Sequence, residues 1–399
     1  MPQRHRAHRR FCLPLLAVTC SLAATGAVAQ ERSPYYIGVS QAFTHDSNVY
    51  RTLDNEVSET ISSTGVLVGV DQRFGRQRFF ADASAQTNRY NSDDRLNNKS
   101  YAATAELDWE TIGFLSGVLR FATRNSLADL GTTGGAASVS DQVTEEYNAS
   151  VRYGLASFLA LEAGYAHRRL DYKNPLLSNR NYSQDTVNAG VNWIVGTKLT
   201  LGVGARSTKG TTPEFAPTPP RADELKRRDI DFSAAWRPSA FSTVNARISA
   251  TRETRSLATI GELSETTGTL SWDYAPTSRL NFTTSLSRDT GTETTFLGTA
   301  PGGTTALQAD RNRISNSLSL DARYTLTGKT SLRANVRQRD GSSSDSTDDT
   351  TRGYSLAVSY LPTRTISLSC NVMREQRRLA GATAYNATVT GCSGELTLR

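Results

Sequence analysis

Nine arginines share a sequence context that suits the binding of anions. Each lies in a segment where apolar and polar residues alternate, and each falls on the polar side of that alternation. A guanidinium group is a planar fork of donors that matches the geometry of a carboxylate. These residues are therefore candidates for contact with anionic solutes such as acidic sugars. The nine are Arg120, Arg152, Arg168, Arg206, Arg237, Arg247, Arg323, Arg333 and Arg337.

Acidic residues occupy the same polar faces, and they leave two interpretations open. The charges could form ion pairs that fill and stiffen an interior, or the arginines could form a track for anionic sugars. Mixed signs do not exclude a track, because the field in a pore depends on how the charges are arranged. The acids are Asp82, Glu106, Asp108, Glu146, Glu162, Asp231, Asp273 and Asp321.

Other reactive residue types are sparse after the N-terminal segment. His45 stands beside Asp46, and His167 falls on an outward face, but sequence spacing places no nucleophile against either histidine. Gly202 and Gly204 lack the third glycine of a phosphate loop and lie mid-strand. Two remaining cysteines without a histidine cluster do not make the usual zinc site. We expect no enzyme activity, no cofactor and no metal.

The elements that position these residues are strands. In residues 312–325 the even positions from Ile314 to Tyr324 are apolar apart from Asn316, the odd positions are polar, and the same period-two alternation recurs along the chain. Eight short turns, each following an aromatic residue, join strands in pairs: Phe74, Trp109, Tyr153, Trp193, Trp236, Tyr274, Tyr324 and Tyr360 precede them. Long polar segments rich in turn-forming residues separate the pairs, at 46–58, 91–99, 128–142, 173–182, 210–226, 255–262, 291–311 and 341–352.

This pattern predicts an all-β fold, a transmembrane antiparallel up-and-down β-barrel of about 18 strands (16–18). Short periplasmic turns, longer extracellular loops and aromatic girdles are typical of outer-membrane barrels. Only 37% of the residues are hydrophobic and the mean hydropathy is −0.44, as expected when only every second strand residue faces lipid. The alternative is a soluble propeller or solenoid, which should repeat its residues and not merely its pattern.

The first 29 residues have the features of a secretory signal peptide. A basic start, an apolar stretch from Phe11 to Ala24 and Ala27-Val28-Ala29 predict cleavage before Gln30 and a barrel over 30–399. Lipidation at Cys20 is the less favoured alternative. Four arginines and no acid lie in this segment, so the net charge of +7 falls to +3 without it. A nucleic-acid binder would keep its basic patch in the remaining chain, so nucleic acid is not an expected partner.

Cys370 and Cys392 are predicted to form a disulfide. Both lie eleven residues from Gly381, the expected turn of the last hairpin, so antiparallel pairing places them opposite each other. Opposed residues are close enough for a disulfide, and the compartment is oxidising. The alternative is two free thiols packed against lipid.

Two segments carry a family resemblance. The first strand runs into Thr44-His45-Asp46-Ser47-Asn48-Val49-Tyr50-Arg51, and the chain ends Thr390-Gly391-Cys392-Ser393-Gly394-Glu395-Leu396-Thr397-Leu398-Arg399. Both resemble the EpsL-like outer-membrane β-barrel proteins of exopolysaccharide biosynthesis clusters, which are themselves similar to β-barrel porins. Asp46, Asn48, Tyr50 and Arg51 match the first motif, and a well-made turn after strand one is their structural alternative. Arg399 stands where ordinary porins end on an aromatic, so the barrel-assembly machinery would use another signal.

The resemblance implies a part in exopolysaccharide biosynthesis or export, as a conduit or an accessory pore for the polymer. The expected partners are then outer-membrane lipid, the exopolysaccharide with its export machinery, and the barrel-assembly machinery. A general or substrate-specific porin for small solutes is the alternative, and an outer-membrane hydrolase or a scaffold is less favoured.

Overall fold

Eighteen antiparallel strands form one sheet that closes on itself. The computed structural model describes residues 33–130, 139–217, 220–257, 262–290, 313–343, 349–379 and 384–399, and Pro34–Arg399 form a compact unit. Each strand pairs with its neighbours in sequence, and β1 pairs with both β2 and β18. The predicted 18-strand up-and-down barrel is confirmed. The signal peptide, the turn at Gly381 and the segment 291–311 lie outside the described residues.

The strands follow the period-two segments. They are β1 Tyr35–Asp46, β2 Glu59–Phe74, β3 Gln77–Tyr90, β4 Asn98–Glu110, β5 Leu115–Leu127, β6 Asp141–Ala156, β7 Leu159–Tyr172, β8 Tyr182–Val195, β9 Leu199–Pro217, β10 Pro220–Ser239, β11 Ser242–Arg255, β12 Glu262–Thr277, β13 Leu280–Asp289, β14 Arg313–Thr325, β15 Thr330–Ser343, β16 Asp349–Tyr360, β17 Ile366–Leu379 and β18 Tyr385–Leu398. Two 3-10 turns, Asp94–Leu96 and Pro175–Arg180, lie in the long loops. None of the helical turns described is long and apolar enough to cross a membrane.

The outer face of the barrel is apolar. Exposed side chains such as Ile37, Val68, Phe232 and Leu356 alternate with polar ones, and cross-strand partners keep them on one face around the sheet. The seam keeps the same parity, because Ile37 pairs with Leu398. Apolar residues exposed in this way mark a surface that lipid covers.

Aromatic residues ring the end of the barrel that carries the short turns. The eight aromatic residues that precede the short turns all lie on the outer, apolar face of their strands. Phe74 and Trp193 are among the most exposed. Aromatic side chains favour the interface between the lipid and water. Because the short turns of outer-membrane barrels are periplasmic, this end is the periplasmic one, and the long loops lie outside the cell.

One predicted loop is wrong. The composition of residues 210–226 predicts a loop, but β9 and β10 continue as a ladder through Pro217 and Pro220, with one register shift between Arg221 and Asp223. The polar composition reflects strands that reach beyond the bilayer, where both faces meet water, and not an end of pairing. For the same reason 341–343 and 349–352 are strand, although a loop is predicted over 341–352.

The predicted disulfide is present. Cys370 and Cys392 are joined, with Cα atoms 4.0 Å apart, in a ladder that also pairs Ile366 with Leu396 and Leu368 with Gly394. Both cysteines lie on the outer face, where Cys370 falls between the exposed apolar residues Leu368 and Val372 of β17. The bond therefore links the last two strands within the lipid-facing band.

Candidate functional site

The lumenal face of the barrel is the candidate site. Eight of the nine predicted arginines lie at positions of the opposite parity to the exposed apolar residues, so they face the interior. Arg237 lies past a register shift that follows Trp236, at the periplasmic rim. The strand pattern thus places these arginines around one polar lumen.

On β4–β7 the predicted arginines form cross-strand ion pairs. Arg120 lies 3.8 Å from Glu106, Arg152 lies 3.6 Å from Glu162, and Arg168 lies 3.4 Å from Glu146. In each pair the two residues are direct cross-strand partners. Opposite charges in this position stabilise a sheet. On this wall the interpretation as stiffening ion pairs therefore accounts for the arginines.

A buried network of charges occupies the wall formed by β9–β13. Arg206 contacts Asp229 at 3.4 Å and Asp231 at 3.3 Å. Arg227, only 2% exposed, donates to Asp229 at 2.9 Å and to Thr290 at 2.8 Å. Buried charges persist where they are paired and hydrogen-bonded. This network fixes side chains in place, so Arg206 contributes to the rigidity of the wall.

Arg227 and its partner Asp229 are not among the residues predicted for the site. Arg227 follows directly on the segment for which a loop is predicted, which hides its inward parity. Arg247, which is predicted, is buried on the same wall. The period-two pattern of β10, extended backwards from Phe232, would have placed Arg227 and Asp229 on the lumenal face.

A second wall, β14–β15, carries an excess of positive charge. Arg323, Arg333, Arg337 and Arg339 all lie on its lumenal parity, with Arg323 paired directly opposite Arg333. Arg333 contacts Asp321 at 2.7 Å, and Arg337 reaches Glu375 of β17 at 4.0 Å. Within the described parts of the chain, Arg323 and Arg339 form no ion pair. Arg323 lies opposite Asn281 and Arg333, and Arg339 lies opposite Ser317 and Thr351, so no acidic residue faces either of them across the strands. This wall therefore presents guanidinium groups to the lumen.

The lumenal side of β2–β4 is the acidic counterpart. Asp71, Asp82, Glu106 and Asp108 share this parity, and Asp71 accepts from Arg78 at 2.8 Å. The two signs of charge are therefore partly separated around the lumen. Charges separated in this way create a field across a pore that orients and selects ions.

The residues that carry the family resemblance at the end of β1 stabilise the first long loop. Asp46 accepts from the backbone of Asn48 at 2.9 Å and pairs with Arg51 at 2.8 Å. The fully buried Asn48 side chain donates to the carbonyl of Thr52 at 2.7 Å and to that of Asn386 at 3.1 Å. Arg51 has a φ of 55°, a left-handed conformation that these bonds hold. The motif ties the first long loop to β18 beside the seam.

Tyr50 extends this loop to the next one. Its hydroxyl donates to Asp93, which also accepts from Arg95 at 2.6 Å. These hydrogen bonds hold the pKa of Asp93 well below its usual range, and the bond from Arg95 has the largest effect. Burial and the hydrogen bond to Asp93 raise the pKa of Tyr50. The contacts join two extracellular loops above β1–β4.

The loops fold toward the inside of the barrel. Leu96 packs with Val49 and Tyr50 against Tyr90, and Leu177 packs against Leu170 and Tyr172. Tyr90, Leu170 and Tyr172 are on the lumenal parity of β3 and β7. The two 3-10 turns therefore lie on the lumenal side of the wall, where they narrow the extracellular mouth.

Neither His45 nor His167 lies on the lumenal face. His45 faces outward, with Nδ1 3.2 Å from Thr60, whereas its neighbour Asp46 faces inward. His167 faces outward as predicted, 2.9 Å from Asp185, which also accepts from Tyr165. The described residues contain no group of three His, Cys, Asp or Glu side chains able to hold a metal ion.

No protein-family model and no curated protein sequence matches the chain. Solved structures to which it is similar include Pseudomonas aeruginosa OpdK with vanillate, at 13% identity and a TM-score of 0.49 over 91% of this chain and 99% of that chain. P. aeruginosa OccK2 (OpdF) has 12% identity and a TM-score of 0.48 over 91% of this chain and 98% of that chain. Acinetobacter baumannii OccAB4 has 8% identity and a TM-score of 0.46 over 91% of this chain and 98% of that chain. The assignment of the fold depends on the strand pairing itself: closed pairing, an apolar outer band and a periplasmic aromatic girdle make this protein a bacterial outer-membrane β-barrel.

Proposed function

We propose that the protein is a channel through which small hydrophilic solutes, anions above all, cross the outer membrane. The observation that carries this proposal is the arginine wall of β14–β15. Arg323 and Arg339 have no acidic partner among the described residues, and Arg333 is half-exposed to the lumen although it contacts Asp321. Guanidinium groups presented in this way offer donors to a passing carboxylate.

The inward-folded loops favour small solutes over a polymer. Leu96 and Leu177 pack against the lumenal side of the wall at the extracellular mouth, where a polysaccharide would have to leave. The interpretation as an exopolysaccharide conduit depends on the resemblance, and Asp46, Asn48 and Arg51 have structural contacts that account for their presence. We therefore favour the porin alternative over polymer export.

Liposome swelling tests this proposal. Liposomes that contain the purified barrel should swell faster in gluconate than in glucose, which is similar in size but neutral, and should not admit a dextran. Heat-denatured protein controls for leakage. Equal rates for gluconate and glucose would contradict the anion preference, and passage of dextran would favour a polymer conduit. In cells, normal exopolysaccharide release after gene deletion agrees with the proposal, and a loss of release contradicts it.

A further inference from the structure

An apolar groove runs across the lipid-facing surface beside the seam. It has a volume of about 560 Å³ and lies between the exposed side chains of Phe43 on β1 and Leu356 on β16. Its floor is formed by the disulfide of Cys370 and Cys392, whose side chains are smaller than their neighbours. A depression of this kind in an otherwise bulky apolar band accepts a hydrocarbon chain.

Three arginines border the extracellular edge of this groove. Arg352 on β16 pairs opposite Gln376 on β17, so Arg374 and Arg378 are its two diagonal neighbours. All three share the outer parity of Tyr354 and Val372, and all three are exposed. Diagonal neighbours on paired strands lie about 7–8 Å apart, within reach of long side chains. The three arginines thus surround the outward side chain of Gln376, whose amide oxygen accepts from Arg374 at 3.2 Å.

The acidic residues near this point do not balance the charge of the three arginines. Arg352, Arg374 and Arg378 form no ion pair with any residue that the structure describes. Asp340 on β15 also faces outward, diagonal to Arg352, and accepts from Gln338 at 2.8 Å, so three positive charges lie near one negative charge. Glu375 and Arg377, which alternate with these arginines, belong to the lumenal face. The outer surface here therefore has a local excess of positive charge.

The height of the arginines relative to the lipid band is set by the strand. Arg374 lies two residues after Val372, which lines the groove, on the same face of β17. Arg352 precedes Tyr354 and Leu356 in the same way on the neighbouring strand. Because the long-loop end is extracellular, the three arginines lie where the headgroups of the outer leaflet meet the hydrocarbon.

The geometry points to a binding site for a phosphorylated lipid of the outer leaflet. Its phosphate accepts from Arg352, Arg374 and Arg378, and one acyl chain occupies the groove over the disulfide. Three forks of donors match a phosphate, and the adjoining apolar groove specifies a lipid and not a free anion. This site is on the outside of the barrel and is independent of the proposed channel.

Native mass spectrometry of the detergent-solubilised barrel, with diphosphorylated lipid A as the probe, tests this inference. Arg352→Gln with Arg374→Gln should weaken the lipid adduct by about tenfold or more, since bonds to charged groups are lost. Val372→Trp, which fills the groove, should weaken it as well. The matched control is Arg252→Gln with Arg288→Gln, two outward arginines that already contact Glu262 and Glu265. This control should bind like the wild type.

Three outcomes would overturn the inference. Equal adducts in the wild type and the double variant would show that the arginines do not hold the phosphate. Loss in the arginine variant together with full binding to Val372→Trp would show that the groove holds no acyl chain. Competition by inorganic phosphate at the concentration of the lipid would identify an anion site without lipid specificity. Thermal melts of each variant would separate misfolding from lost binding.

Discussion

Replacement of Arg333 and Arg337 by glutamine should move the channel toward cation selectivity. The arginine wall has four positive groups, Arg323, Arg333, Arg337 and Arg339, against Asp321 and Glu375, which leaves a net charge of +2. The double variant reduces this to zero. In a water-like dielectric a unit charge about 8 Å away contributes about 0.5 kcal/mol, so two charges contribute about 1 kcal/mol. That is about fivefold in the permeability of the anion, and because the cation changes in the opposite direction, about thirtyfold in the anion-to-cation permeability ratio before screening by salt.

The reversal potential across a planar bilayer under a KCl gradient measures this ratio. The shift should be large at 0.1 M salt, where the Debye length is about 10 Å, and nearly absent at 1 M, where it is about 3 Å. Arg252→Gln with Arg288→Gln removes the same charge from the outer face and should leave selectivity unchanged. If the lumenal variant kept wild-type selectivity at low salt, the arginine wall would be structural and our reasoning about the solute path would be refuted.

Three further results are expected. Cys370→Ser with Cys392→Ser should cost about 3 kcal/mol of unfolding free energy by loop entropy, seen as a lower urea midpoint, and an unchanged midpoint would argue against that estimate. Asn48→Ala removes three hydrogen bonds of 3.1 Å or shorter, about 3 kcal/mol in all, and should speed hydrogen exchange in the first long loop, whereas Asn91→Ala should not. Because the pKa of Asp93 is depressed, its stabilisation is present above about pH 4 and is lost as the pH falls further. The protection factors of the amides in the second loop should fall there, and Asp93→Asn should abolish this pH dependence of the protection factors.

Much of the fold follows from one sequence property. Period-two alternation fixes which face each residue joins, so the amino-acid sequence alone places Arg323 and Arg333 inside the barrel and Trp236 outside it. The cysteine pairing follows from the same parity together with the turn position. Polarity, however, does not separate a loop from a strand that leaves the membrane, and for that reason the loop prediction at 210–226 is wrong.

The state of each charged residue is harder to predict. Whether Arg168 is paired and Arg323 is not depends on which residue lies opposite, and that depends on the register of each hairpin. The contact between Asn48 and Asn386 joins opposite ends of the chain, and no local pattern specifies it. The inward packing of Leu177 arises from loop contacts that alternation does not describe.

The position of the disulfide sets an order of events during biogenesis. Cys370 and Cys392 face hydrocarbon once the barrel is inserted. Thiol oxidation proceeds through a thiolate, and a thiolate is strongly disfavoured in an apolar medium. The bond must therefore form while the hairpin is still in the aqueous periplasm, where β17 and β18 need to be in register already. Because β18 is also the strand that meets β1, the chain would reach the membrane with its closing hairpin preassembled and covalently locked.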